Sequence, residues 1–271
     1  MSLLETINFD LLKQVNETDE KCSKHGTPLV EFNGQIFCPT CQKEQTQQQN
    51  DERVSQQAKK HHRRKTVEIL RKDSIVGDKD LWNASFKNFE VSNQETEEAL
   101  YRARHIAGEY LKAEHTFNTV LTGIPGTGKS HLAMSILKAV NDNANPYISC
   151  LFISVNDLLR LIKDSISNPE SVYKEDRMVK QLSNVDLLVL DDLGSESSFK
   201  QEASESSEYN QKILFGILNA RRNTIITTNL SSDELENIYN QKIISRLYKG
   251  VEGHIIKFTE ETADKRSKIK F

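Results

Sequence analysis

"FNTVLTGIPGTGKSHLAMSILKAV", Phe117 to Val140, is the stretch whose reading decides the fold. A short β-favouring run, "FNTVLT", passes directly into "GIPGTGKS", Gly123 to Ser130, and then into the helical pattern "HLAMSILKAV". The eight middle residues fit G-x-x-x-x-G-K-[ST], and strand, loop and helix stand in the order that a phosphate-binding loop requires. Gly126 and Gly128 let the backbone turn its N–H groups onto phosphate oxygens, and the start of the helix adds positive potential at the same place. Lys129 is then placed for the β- and γ-phosphates and Ser130 for a Mg²⁺. Gly123, Pro125, Thr127 and His131 complete the stretch expected to contact the nucleotide.

Outward from this loop, "SCLFISV", "VDLLVL", "NTIITT" and "GHIIKF" are further short β-rich runs, with amphipathic helical stretches between most of them. That alternation predicts a parallel α/β sheet covered by helices. The third strand closes "DLLVLDDLG" with two carboxylates, Asp191 and Asp192. In a parallel sheet the C-terminal strand ends meet at one edge, so this pair is expected beside the phosphate loop. Asp191 is assigned to the Mg²⁺ shell and Asp192 to polarising the attacking water. Glutamate, one methylene longer, is the commoner choice for the second task, so slow or partner-dependent hydrolysis is expected. The segment that follows, "GSESSFKQEASESSEYN", has little to bury and reads as a mobile loop.

The chain has 271 residues, 37% hydrophobic and 28% charged, enough for one good-sized core and a small satellite. Its formal net charge of -3 excludes a uniformly basic, nucleic-acid-coating body, so any such contact must come from local patches. No apolar run approaches the ~20 residues of a membrane span and the N-terminus is acidic, which predicts a cytoplasmic protein. The composition divides the chain into residues 1–45, a polar and basic helical linker at 46–81, and the α/β region at 82–271. The basic run Lys59 to Lys65 suits DNA phosphates, an acidic protein surface or plain solvation alike.

In "CSKHGTPLVEFNGQIFCPTC", Cys22 and His25 are two residues apart, as are Cys38 and Cys41, with twelve between the pairs. This is a zinc spacing, and "LVEFNGQIF" reads as a hairpin through "NG" that brings the two turns together. Four ligands with no open position make such a site structural, and so small a unit would depend on Zn²⁺ to fold. Cys150, alone in an apolar strand, is expected to be a buried small hydrophobe.

The C-terminal 190 or so residues resemble the AAA+ ATPases of the DnaC/DnaI helicase-loader type, related to the IstB-like transposition ATPases. The resemblance rests on "FKNFEV", "EEALYRARHIAGEYL", "GIPGTGKSHLA", "DLLVLDDLG", "IITTNLS" and "SRLYKG" in order. It implies that Asn229 is the sensor-1 residue, that Arg246 is an arginine finger acting on a neighbouring subunit, and that Arg266 is a loose match to sensor 2. It also implies that Asn156 to Val185 is a helical insertion facing single-stranded DNA, where Arg160, Lys163, Lys174 and Ser165 are candidate contacts. Arg221 and Arg222 read either as facing a subunit interface or as a solvated helix end. The N-terminal zinc unit is implied to grip a replicative hexameric DNA helicase, with self-association through AAA+ interfaces. The activity expected on that ground is ATP-dependent helicase loading. A transposition helper ATPase, or a helicase adaptor without turnover, is the alternative.

Overall fold

The computed structural model describes residues 16–112, 116–198 and 204–262, the side chains at 197, 198 and 204–207 excepted. Arg266 lies outside these residues. The chain forms two compact units, 1–62 and 63–271. No helix of the described residues is long and apolar enough to cross a membrane.

The first unit is an antiparallel sheet of β1 (Asn16–Lys21), β2 (Pro28–Phe32) and β3 (Gln35–Phe37), in that order. Asn33 and Gly34 take φ of 51° and 75° between β2 and β3, the left-handed pair that a two-residue hairpin turn needs. Strand β1, "NETDEK", has no apolar alternation to signal it; one of its anchors is Thr18, whose Oγ1 donates to Leu29 O at 3.1 Å. Helix α1 (Pro39–Lys65) opens on the proline and buries no side chain. Amide side chains support it from i to i+4, Gln47 to Asp51 and Gln48 to Glu52.

The second unit continues with α2 (Ile69–Asp73), a 3₁₀ turn (Lys79–Asn83), α3 (Gln94–Tyr110), β4 (Thr119–Thr122), α4 (Lys129–Asn143), β5 (Cys150–Ser154), α5 (Val155–Ser165) and α6 (Glu175–Asn184). It then runs through β6 (Leu187–Asp191), α7 (Ser195–Ser198), α8 (Ser204–Asn219), β7 (Thr224–Thr228), α9 (Ser232–Ile238), α10 (Gln241–Leu247) and β8 (Ile255–Lys257). The strands lie in the order β5-β6-β7-β4-β8 with every pairing parallel. These are the five strands the apolar runs predict.

Strands β4 to β7 each feed two cores, because successive side chains alternate faces, whereas β8 gives only Ile256 to the first. Cys150, Phe152, Val189, Ile225 and Leu121 pack with α3 and α4; Leu151, Ile153, Leu190, Ile226 and Val120 pack with α5, α6, α8 and α10. Cys150 is the buried hydrophobe expected, and burial drives its thiol well above the ordinary range. Residues 69–83 pack on this unit too. Leu70 is buried in the first core, and Ile75 adds a parallel bridge to the edge strand β5 at Ile153.

Two readings need correction. The segment after β6 is not a loop throughout, since α7 and α8 occupy Ser195–Ser198 and Ser204–Asn219. Its serines and glutamates mask a helix whose continuation buries Ile213, Leu214, Ile217 and Leu218; residues 199–203 lie outside the described residues. Arg221 is neither an interface nor a solvated residue, being only 6% exposed. Its guanidinium donates to Leu182 O, to Val185 O at 2.9 Å, to Asn223 O at 2.6 Å and to Thr224 Oγ1 at 3.1 Å. It thereby satisfies carbonyls at the C-terminal end of α6, where the helix dipole favours a cation. Burial without a touching carboxylate brings it down to about 10. Arg221→Met is expected to destabilise the second unit by about 3 kcal/mol or more, since several buried acceptors lose their donors at once. A denaturant titration checks this.

Candidate nucleotide and metal sites

The phosphate loop runs from the end of β4 to the start of α4, and its glycines are conformationally required. Gly123, Gly126 and Gly128 have φ of 136°, 78° and 97°. A Cβ on Gly123 would lie 2.1 Å from Phe258 O, and one on Gly128 would lie 2.8 Å from Phe89 Cε2. Phe89 belongs to "FKNFEV", so that segment walls the loop. His131 extends the same wall by donating from Nε2 to Ser85 O at 3.0 Å and meeting Phe89 edge-on. Thr127 is fully buried beneath the loop, with Oγ1 donating to Ile124 O at 3.1 Å. Lys129 Nζ donates to Gly123 O at 2.8 Å and Ile124 O at 2.7 Å.

A cleft of about 340 Å³ opens at the C-terminal edge of the sheet. It brings together Pro125, Gly126, Gly128, Lys129, Ser130, His131, Asp191, Asp192 and Asn229. Five further cleft residues, Gly77, Asp78, Leu81, Ser154 and Thr227, escaped the sequence reading. Ser154 and Thr227 carried a usable signal. Both end parallel strands at the same edge as Asp191, and Ser154 is in register with it. Gly77, Asp78 and Leu81 carried none, because they precede the sheet in sequence.

Thr227 organises the acidic pair. Its Oγ1 donates to Asp191 Oδ1 at 2.7 Å and accepts the Asp192 N–H at 2.8 Å. Burial pushes the Asp191 carboxyl up; hydrogen bonds from Ser130 and Thr227 draw it back, the Asp192 charge raises it and the Lys129 charge lowers it. A half-buried carboxylate beside a serine hydroxyl is a hard oxygen donor set, and these residues fit Mg²⁺. Asp192 has φ 60°, a left-handed conformation that aspartate tolerates better than most residues. Asn229 Nδ2 fixes its carboxylate by donating to Oδ1 at 2.9 Å.

Arg246 does not join this cleft. It lies on α10, with Nε and Nη2 donating to Asn219 Oδ1 at 3.2 and 3.1 Å. Of the candidate DNA contacts, Ser165 is buried and gives its hydroxyl to Ile162 O, which corrects the expectation of an outward hydroxyl. Lys174 donates to Ser165 O at 2.6 Å, and Arg160 is paired with Asp157 and Asp164. Lys163 is exposed on α5.

In the first unit Cys22, His25, Cys38 and Cys41 place one ligand atom each within 4.8 Å of one another. A tetrahedron with Zn–S of about 2.3 Å and Zn–N of about 2.0–2.1 Å has edges of about 3.6–3.8 Å. Cys22 Sγ lies 3.7 Å from Cys41 Sγ, and His25 Nδ1 lies 3.8, 3.7 and 3.3 Å from the sulfurs of Cys22, Cys38 and Cys41. The Thr27 hydroxyl and the Cys41 N–H bring the Cys38 thiol down to about 5, whereas burial and the neighbouring thiols raise Cys41 to about 11. The donor set and its spacing suggest a zinc site. Glu44, on α1, was not singled out from the sequence. Its Oε1 meets His25 Nε2 at 3.1 Å, the outer carboxylate that commonly orients a metal-binding imidazole.

A family model described as IstB-like ATP binding protein matches residues 42–268. The replicative helicase loader DnaC of Escherichia coli strain K12 is 31% identical over 172 residues, 62% of this chain and 64% of that protein. The chain thus spans just under two thirds of that relative's length. The replicative helicase loader DnaC of Buchnera aphidicola subsp. Baizongia pistaciae is 28% identical over 215 residues, 74% of this chain and 82% of the relative. Among solved structures, a DnaC helicase loader is similar at a TM-score of 0.51 and 26% identity, covering 67% of this chain and 99% of that one. A DnaI structure is alike in fold at a TM-score of 0.50 and 20% identity, covering 69% and 95%.

Proposed function

Because this chain belongs to the IstB-like ATP-binding protein family, with an AAA+ fold and relatives among the DnaC helicase loaders, we propose that it is an ATP-dependent loader of a replicative hexameric DNA helicase. The observation that carries the reading is the single cleft that gathers the phosphate loop, the acidic pair and Asn229. In this reading residues 1–45 bind the helicase, 46–81 connect and add Gly77, Asp78 and Leu81 to the cleft, and 82–271 supply the rest of the ATP site and bind single-stranded DNA.

The loop N–H groups and Lys129 hold the phosphates. Ser130 and Asp191 would hold Mg²⁺, which when bound neutralises charge on the β- and γ-phosphates. Asp192, oriented by Asn229 and Thr227, polarises the attacking water. The Cys/His cluster would hold a structural Zn²⁺, leaving no position for chemistry.

Arg246, off the cleft on α10, acts on the γ-phosphate of a neighbouring copy, so turnover follows assembly. Arg246→Ala is therefore expected to keep nucleotide and helicase binding and to lose DNA-stimulated turnover by about 10³-fold, the scale of a trans arginine. Steady-state hydrolysis with and without single-stranded DNA checks this; retained stimulation would remove the arginine from the mechanism. The family description also fits a transposition helper, and binding to a transposase in place of helicase would favour that alternative.

A further inference from the structure

The turn after the acidic pair holds a carboxylate that the mechanism above does not use. Glu196, on α7, is half-buried. Its Oε2 accepts the Gly194 N–H at 2.9 Å, and its Oε1 accepts the Tyr239 hydroxyl. Burial raises this carboxyl, the Tyr239 hydrogen bond draws it back, and the nearby Asp192 charge raises it again.

The turn itself has little freedom. Gly194 has φ 98°, and a Cβ there would meet Leu230 Cδ1 at 2.3 Å. Ser195 Oγ donates to Asp192 O at 2.6 Å, Leu193 N–H to Thr227 O at 2.9 Å, and Thr228 Oγ1 to Leu193 O at 2.7 Å. On the far side Tyr239 is buried and closes α9, its N–H donating to Leu235 O at 2.9 Å. The next residue, Asn240, caps α10 by accepting the Lys242 and Ile243 N–H groups, both at 3.1 Å. Glu196 therefore joins the turn bearing Asp192 to the corner from which α10 starts.

We propose that the Glu196–Tyr239 pair is a positioning element that couples α10, the helix carrying Arg246, to the orientation of the Asp192 carboxylate. Contacts made at α10 by a second copy of this chain then change the geometry at the nucleotide, and nucleotide in the cleft steadies α10 in return, because coupling between sites is reciprocal. The proposal rests on the reading of the cleft as an ATP site.

Hydrogen–deuterium exchange on the full chain, with and without a non-hydrolysable ATP analogue and Mg²⁺, tests it in wild type, Tyr239→Phe and Glu196→Gln. Nucleotide is expected to slow exchange at residues 124–131 in all three. It is expected to slow exchange at residues 241–248 in wild type by about tenfold, the scale of one charge-assisted hydrogen bond, and to lose that effect in both variants. Equal slowing of α10 in all three chains, or none in wild type, overturns the coupling while protection of the phosphate loop leaves the ATP reading standing. Faster exchange across α9, α10 and the core strands irrespective of nucleotide marks general loosening and also overturns it. No slowing at residues 124–131 in any chain means that the ATP reading fails, and the coupling with it.

Discussion

Asp192→Asn is expected to lower ATP turnover by about 10²-fold or more while leaving nucleotide affinity intact, because the substitution removes the proposed general base and spares the phosphate cradle. Asparagine can keep the 2.9 Å approach of Asn229 at Oδ1 and the backbone bond to Thr227, so the local geometry should survive. What it removes is the carboxylate charge that the proposed mechanism sets beside the attacking water. Lys129→Ala is the complementary change: its ammonium is the one loop cation in the cleft among the described residues, so affinity itself should fall. The two are separated by equilibrium binding of a fluorescent ATP analogue alongside steady-state turnover. Wild-type hydrolysis by the asparagine variant would remove Asp192 from the catalytic role.

Removal of zinc is expected to unfold the first unit and leave the second folded. The three-stranded sheet contributes little core of its own, with Val30 and Cys38 its buried apolar residues among those described. Structural Zn²⁺ in units of this size contributes about 10–16 kcal/mol of apparent binding free energy, far more than two side chains can supply by burial. Cys41→Ser, or a strong chelator, should abolish the hairpin's exchange protection without altering ATP binding. The second unit has its own two cores. Elemental analysis finding no zinc in protein purified without chelators, with residues 16–41 still protected, would contradict this.

The features legible in the sequence are those in which one residue type has one physical use. Gly123 and Gly128 are written in the motif, Gly126 lies between them, and the positive φ of all three shows why glycine serves there. The apolar runs marked all five parallel strands, most plainly β4 to β7, which are buried on both faces. The Cys and His spacing marked the cluster because two-residue separations fold ligands onto one point.

Features outside that class were hidden. Arg221 looks from sequence like any surface arginine at a helix end; only the fold brings the carbonyls of α6 to its guanidinium. Strand β1 is polar on both faces, so no apolar alternation marks it. Helix α8 begins in serine and glutamate, so its apolar face appears only a turn later. Gly77 and Asp78 reach the cleft through the bridge of Ile75 to Ile153, a long-range pairing with no local signature.

The most direct test of the account is retention of the replicative hexameric helicase, from the organism that supplies this chain, on circular single-stranded DNA. The measured quantity is helicase co-sedimenting with the DNA circle after addition of the chain and ATP. The account predicts retention that requires the wild-type chain and is lost with Lys129→Ala, which disables the phosphate loop, and with Cys41→Ser, which disables the Cys/His cluster. Retention that is the same without the chain, or the same with both variants, would contradict it.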